Sequence, residues 1–417
     1  MIDPVRQEVI ASAHTIVIKI GTGVLTRPDA SLDVDRINSL VTEFHKILET
    51  GRKLVIVSSG AIAAGIGQIG LKRRPSDLPH LQAAAAVGQS FLMKAYDDAA
   101  RRYGYHAAQI LLTAADFEDR TRYLNVRNTI TTLFDYKAVP IINENDTVSV
   151  DEIRFGDNDR LAAMVTNLLR APLLVILSVV DGLFTADPGK RKSGRAGVGE
   201  WGRKEAMEAG KHHSPLTTHH SPLTTHSSPD LISTVESVDD RILELAGAGK
   251  SELGTGGMVT KLEAARMCTT AGESVWIVNG KRPGVLEEVM QAKPVGTLFL
   301  AQGGGLTSRK RWIGLTVRPR GRYVVDSGAR RAIESNGKSL LPIGIVDVVG
   351  SFQPGDVVMI CDAAGVEFAR GLSNYSADDA RSIRGLRTHQ IHSTRGPLPY
   401  DEVIHRDNLV VTKNPAQ

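Results

Sequence analysis

Residues 15–23 read Thr15-Ile-Val-Ile-Lys19-Ile-Gly21-Thr-Gly23. Four β-branched residues in a row without polar alternation form the pattern of a strand buried on both faces, the situation of a parallel sheet. The run ends in a lysine and a glycine turn. Working outward, similar Val/Ile-rich runs recur at 53–57, 108–112, 139–142 and 173–177, and again at 274–278. Between them, residues 34–48, 81–102, 122–134, 160–169 and 259–270 carry helical spacing. Strands alternating with helices predict an α/β fold, a parallel-rich sheet sandwiched by helices.

The chain has 417 residues, enough for two or three domains. With 42% hydrophobic and 23% charged residues it has ordinary globular composition, which excludes disordered and collagen-like classes. Cys268 and Cys361 are the two cysteines, too few for a disulfide framework or a four-ligand zinc site. The N-terminus lacks a secretory pattern, and no apolar stretch reaches the roughly 18–20 residues of a membrane helix, so a cytoplasmic protein is expected.

The first domain is expected over 8–293, with an inserted low-complexity segment near 190–232. There the heptapeptide His-His-Ser-Pro-Leu-Thr-Thr starts at His212, repeats at His219 and decays at His226. A proline in each unit excludes a helical heptad, and no carboxylate or cysteine completes a metal site with the histidines, so a loop is expected. A linker over 294–320 and a small, mainly β domain over 321–400 follow, then a tail over 401–417. The net charge is +4, but residues 306–340 hold nine Arg or Lys against two acids, a local +7. Basic runs such as Arg309-Lys310-Arg311 are more often solvated faces than binding sites.

Chemistry is expected beyond the carboxyl ends of the strands, where open α/β sheets bind ligands. At the first, Gly21 and Gly23 let backbone amides approach an anion and Lys19 supplies a point charge; an edge lysine beside a plain turn has the same pattern. The second ends Ser58-Ser59-Gly60 and runs into small residues at a helix start, an anion pocket. Gly65-Ile-Gly67-Gln-Ile-Gly70 matches the dinucleotide fingerprint literally, but its glycines fall inside a helix and it reads as a decoy. The fourth ends Asn143-Glu144-Asn145-Asp146, and after an expected hairpin comes Gly156-Asp157-Asn158-Asp159. These clusters suit an amino group and a carboxylate, with asparagine donating to the latter, or else Asp157 or Asn158 is a helix cap. The last motif, Gly254-Thr255-Gly256-Gly257-Met258-Val259-Thr260-Lys261, joins glycine donors, a helix start and a lysine, though Lys261 on a surface helix is the plain alternative. Two lysines, several amide nests and an acidic cluster on one sheet edge fit phosphoryl transfer.

On these motifs, together with Asp181-Gly-Leu-Phe-Thr-Ala-Asp-Pro188, the chain resembles the amino acid kinase family. Val325-Asp-Ser-Gly-Ala and Ser339-Leu-Leu-Pro-Ile-Gly-Ile resemble a PUA domain. The resemblance implies ATP-dependent phosphorylation of the L-glutamate side-chain carboxylate to L-glutamyl 5-phosphate, the first step of proline synthesis. It implies Lys19, Lys261 and Asp157 as catalytic residues. Lys19, Gly21, Ser178, Val179 and Thr255 through Lys261 would line the ATP site. Ser59, Gly60, Asp146 and Asn158 would hold glutamate, with Asp157 and Asp159 as acidic support. It also implies Mg²⁺ carried mainly by phosphates and water, a homo-oligomer, and feedback inhibition by proline.

One position departs from the family pattern. Val179 stands where the family usually has the Asp of a Thr-Asp pair, so a carboxylate that aligns the lysines would be missing, unless the position chiefly offers its backbone to the nucleotide. Competing readings are phosphorylation of N-acetylglutamate, and an impaired kinase scaffold whose PUA domain binds RNA.

Overall fold

The computed structural model describes residues 3–29, 31–148, 158–186, 229–247, 257–302, 308–387, 390–391 and 400–412. The inserted repeat and the expected hairpin after Asp146 lie outside them, apart from the insertion's last residues.

The first sheet contains eight strands: β1 (Thr15–Ile20), β2 (Lys53–Ser58), β3 (His106–Leu112), β4 (Ala138–Glu144), β5 (Leu173–Ser178), β6 (Thr234–Val235), β7 (Ser274–Asn279) and β8 (Thr297–Phe299). Their order is β3-β4-β2-β1-β5-β7-β8-β6, all parallel except that β8 runs against β7. β1 lies at the centre and every residue in it is buried. Alternation along a strand sends Ile16, Ile18 and Ile20 into one core, with the helices Val34–Glu49 and Leu78–Arg101. Val17 enters the other, which holds the helices Asn158–Leu169 and Met258–Ala271. Lys19 has the parity of Val17 and emerges on that second side. The register aligns Ile20 with Ser58 and Lys19 with Ile176, so β1, β2 and β5 end together at one edge.

Of the glycines in the dinucleotide-like stretch, Gly65 and Gly67 lie in the helix Ala61–Ile69 and Gly70 is its left-handed C-cap; the use of Gly65 is packing. A Cβ on Gly65 would stand 1.8 Å from the Ala84 carbonyl oxygen, and one on Gly88 1.8 Å from that of Ala61. The two helices therefore cross with backbone touching backbone.

The second domain is a five-stranded sheet, β9 (Gly321–Val325), β10 (Ile345–Gly350), β11 (Val357–Cys361), β12 (Glu367–Leu372) and β13 (Leu409–Val411), ordered β10-β9-β11-β12-β13, over its own core. Three sequence expectations are corrected. A helix at Pro4–Ser12 precedes residue 8 and belongs to the first domain, because buried Arg6 donates to the carbonyls of Lys293, Val295 and Ser233. Residues 294–320 are more than a linker: β8 completes the first sheet, and a π-helical turn, Trp312–Thr316, wedges between the domains. There the Trp312 indole donates to the Phe117 carbonyl at 2.6 Å and Arg370 donates to that of Gly314 at 3.2 Å. Residues 401–417 are not simply a tail, since β13 pairs with β12. Among the described residues, no helix is long and apolar enough to cross a membrane.

Candidate active site

Lys19 arrives on β1 and Lys261 on the first turn of the Met258–Ala271 helix, and both ammonium groups meet one carboxylate. Lys19 Nζ lies 2.5 Å from Asp159 Oδ1, and Lys261 Nζ 3.1 Å from Asp159 Oδ2. Thr260 Oγ1 donates to the same Oδ2 at 2.9 Å. All three charged groups are buried. Burial by itself would raise the Asp159 pKa, but the two lysines outweigh it and hold the carboxyl at about 2. Two ammonium groups thus share this one carboxylate, an arrangement of cations that suits a polyanion.

Gly257 is the N-cap of the Met258–Ala271 helix and, having no side chain, caps none of the first-turn amides beside Lys261. Gly21 differs from expectation. Its N–H donates to the Leu177 carbonyl at 3.1 Å and is not offered to an anion. A Cβ there would lie 3.8 Å from Lys19 Nζ, an ordinary contact, so Gly21 adjoins the lysine. Ser178 is buried and its carbonyl accepts from Gly280 N–H at 2.7 Å. Val179 is 55% exposed and lies over Gly23, whose Cβ would stand 2.9 Å from Val179 Cγ1. Met258 is half-buried and Val259 exposed. Asp157, Thr255 and Gly256 lie outside the described residues.

On the β2–β4 side, Asn158 begins the helix that carries Asp159. Its Nδ2 donates to Ser59 Oγ at 2.8 Å, to Asn143 Oδ1 at 3.0 Å and to the Ser58 carbonyl at 3.3 Å. Gly60, with φ of 103°, takes the left-handed conformation that turns β2 into its helix. Asp146 follows β4, half-buried. Adjacent residues on one helical turn thus serve two neighbourhoods: Asn158 faces the serines and Asp159 the lysines. Sequence reading kept Asp159 as acidic support and did not place it between the lysines, since their separation along the chain hides the contact. Asn143 stood in a quoted motif without a role. Gln89, hydrogen-bonded to Asn143, carries no local signal in an alanine-rich helix.

An α/β sheet that gathers buried lysines and a helix N-terminus at its carboxyl edge has the form of a phosphate-handling site. The sequence profile of the amino acid kinase family matches residues 14–279, and the PUA domain profile matches residues 321–394. The chain belongs to the amino acid kinase family. Over nearly its whole length it is similar to proteins named glutamate 5-kinase. That of Syntrophotalea carbinolica is 43% identical over 408 residues, covering 98% of this chain and 100% of the relative. That of Geobacter sulfurreducens is 43% identical over 406 residues, with 97% and 100% covered. That of Thermoanaerobacter sp. is 40% identical over 396 residues, with 95% and 97% covered.

Proposed function

We propose that the protein transfers the γ-phosphoryl group of ATP to the side-chain carboxylate of L-glutamate, forming L-glutamyl 5-phosphate and ADP. The observation that supports this reading is the convergence of Lys19 and Lys261 on buried Asp159, in a chain similar end to end to glutamate 5-kinases. A carboxylate oxygen of glutamate attacks the γ-phosphorus, and the bond from that phosphorus to the β-γ bridging oxygen breaks. The nucleophile has a pKa near 4.3 and is ionised at neutral pH, so no general base is needed. The protein's task is placement and charge neutralisation. Lys19 and Lys261 stabilise the charge on the transferring group and the leaving phosphate. Asp159, fully ionised, sets their separation. The helix start after Gly257 takes the triphosphate, its backbone N–H groups donating to phosphate oxygens, while Ser59, Asp146 and Asn158 hold the amino acid.

Mg²⁺ supplies further charge neutralisation on the phosphates. Such an ion would be carried mainly by phosphate oxygens and water, with few protein ligands.

The test is an acyl-phosphate assay: protein, ATP, Mg²⁺ and hydroxylamine, with either L-glutamate or N-acetylglutamate. Hydroxamate from glutamate and little from N-acetylglutamate is expected. The opposite preference, or no hydroxamate from either, overturns the proposal.

Two features weigh against an impaired RNA-binding scaffold. Arg311, Arg320 and Arg330 of the basic segment face Glu273, Glu118 with Asp356, and Glu334 with Asp362, so these three of its nine basic residues are paired with acids. Asp159 already stands between the lysines, so the missing carboxylate at 179 is not required to align them. Val179→Asp is therefore expected to change kcat in the hydroxamate assay by less than about threefold, the scale of an exposed electrostatic contact. A tenfold rise would show that the native site lacks a needed carboxylate.

A further inference from the structure

The amide groups around Asn158 form a chain whose polarity is dictated by one backbone group. Glu144 N–H, a donor that cannot be reversed, points at the Asn143 side chain at 2.9 Å, so the atom it meets is Oδ1. Asn143 must then turn Nδ2 the other way, where it donates to Gln89 Oε1 at 2.9 Å. Asn143 Oδ1 also accepts from Asn158 Nδ2 at 3.0 Å, which fixes the orientation of Asn158 in turn. Ser59 Oγ and the Ser58 carbonyl accept from the same nitrogen. Among the described residues, Asn158 Oδ1 is left buried with no hydrogen-bond partner, and so is Gln89 Nε2. Gln89, Asn143 and Asn158 are each at least nine-tenths buried.

A buried acceptor without a donor is costly unless a ligand supplies one. The orientation also corrects the sequence reading that asparagine donates to a carboxylate here: the face Asn158 leaves free is a carbonyl oxygen, which repels a carboxylate and suits an ammonium.

Resting on the functional reading above, we infer that Gln89 is a positioning residue: it holds Asn143, and through it turns Asn158 Oδ1 toward the α-ammonium group of the amino acid substrate. Gln89 touches no reacting atom. Its acceptor oxygen keeps Asn143 Nδ2 satisfied in the orientation that Glu144 N–H imposes. Without it, Asn143 is held at Oδ1 alone, by Glu144 N–H and Asn158, and its buried Nδ2 loses its acceptor, so Asn158 faces a less firmly fixed neighbour. The relay favours a free amine, with its charge and several donors, over an N-acylated nitrogen that offers one donor and more bulk.

The experiment compares wild type with Gln89→Leu, Gln89→Met and Gln89→Glu in the hydroxamate assay, with thermal unfolding of each. Wild-type turnover of glutamate comes first, and its absence would fail the functional reading rather than the relay. Gln89→Leu and Gln89→Met, which lack the acceptor, are expected to raise KM for glutamate at least tenfold. Both should keep KM for ATP and kcat within about threefold and narrow the preference for glutamate over N-acetylglutamate. Gln89→Glu retains an acceptor and removes the unpaired donor, so its glutamate KM should return to within threefold of wild type. The relay is overturned if either apolar variant folds with an unchanged glutamate KM, if KM for ATP rises equally, or if Gln89→Glu is as impaired as Gln89→Leu. Failure of both apolar variants to fold also overturns it, since Gln89 would then serve stability.

Discussion

Asp159→Asn is expected to lower kcat at least a hundredfold in the hydroxamate assay while glutamate still binds. The buried carboxylate stands 2.5 Å from Lys19 and 3.1 Å from Lys261, and nothing in an amide can balance two ammonium groups at those distances. Losing one member of a preorganised charge array typically costs about 10²–10³ in rate. Stability should fall as well, because removing one partner of a buried ion pair costs roughly 3–5 kcal/mol. Bound ATP would offset part of that loss, since its phosphates neutralise the uncompensated lysine charge. Variant activity within fivefold of wild type would sink the assignment of Asp159 as the element that spaces the lysines.

The same residue predicts an acid limb in stability. Its folded pKa, about 2, lies below the unfolded value of about 3.9. A depressed carboxylate contributes stability that is complete above the unfolded value and disappears as pH falls toward the folded one. The stability gap between wild type and Asp159→Asn should therefore be constant near neutrality and shrink from about pH 4 to about pH 2. Urea unfolding of both proteins across that range measures it.

Gly88→Val is expected to damage the fold more than any surface change. A Cβ at this position would meet the Ala61 carbonyl oxygen at 1.8 Å and Gly65 N at 2.3 Å, both backbone atoms that cannot rotate away. The helix Ala61–Ile69 would have to withdraw, and with it the Ser59-Gly60 turn at its start. Overpacking usually costs about 1–3 kcal/mol, and a forced separation of two backbones belongs at or above the upper end. A fall in Tm of roughly 6–12 °C is expected at about 2–4 °C per kcal/mol. A melting temperature within 2 °C of wild type would mean the helices do not cross as closely as described.

The strands were legible because local chemistry decides them: the uninterrupted Ile/Val run of β1 is buried on both faces, as such a run requires. The decoy character of Gly65, Gly67 and Gly70 was legible for the same reason, since their place inside a helical pattern could be counted. Where segments merge, local pattern is weak. β13 is only Leu409–Val411, and β8 only Thr297–Phe299; such short strands exist because a neighbouring strand supplies hydrogen bonds and a buried face.

For the site, residue types at strand and helix ends carried the reading of Lys19, Ser59, Asn158 and Lys261, because only certain groups suit anions and amino acids there. Which of them meet is a property of the folded chain alone. Lys19 and Lys261 share Asp159 because the central strand and two helices on one side of the sheet bring distant segments together, while alternation along β1 decides the side. The amide polarity that runs from Glu144 through Asn143 to Gln89 and Asn158 is likewise invisible in one dimension, since an asparagine's free face depends on which neighbour has already claimed the other.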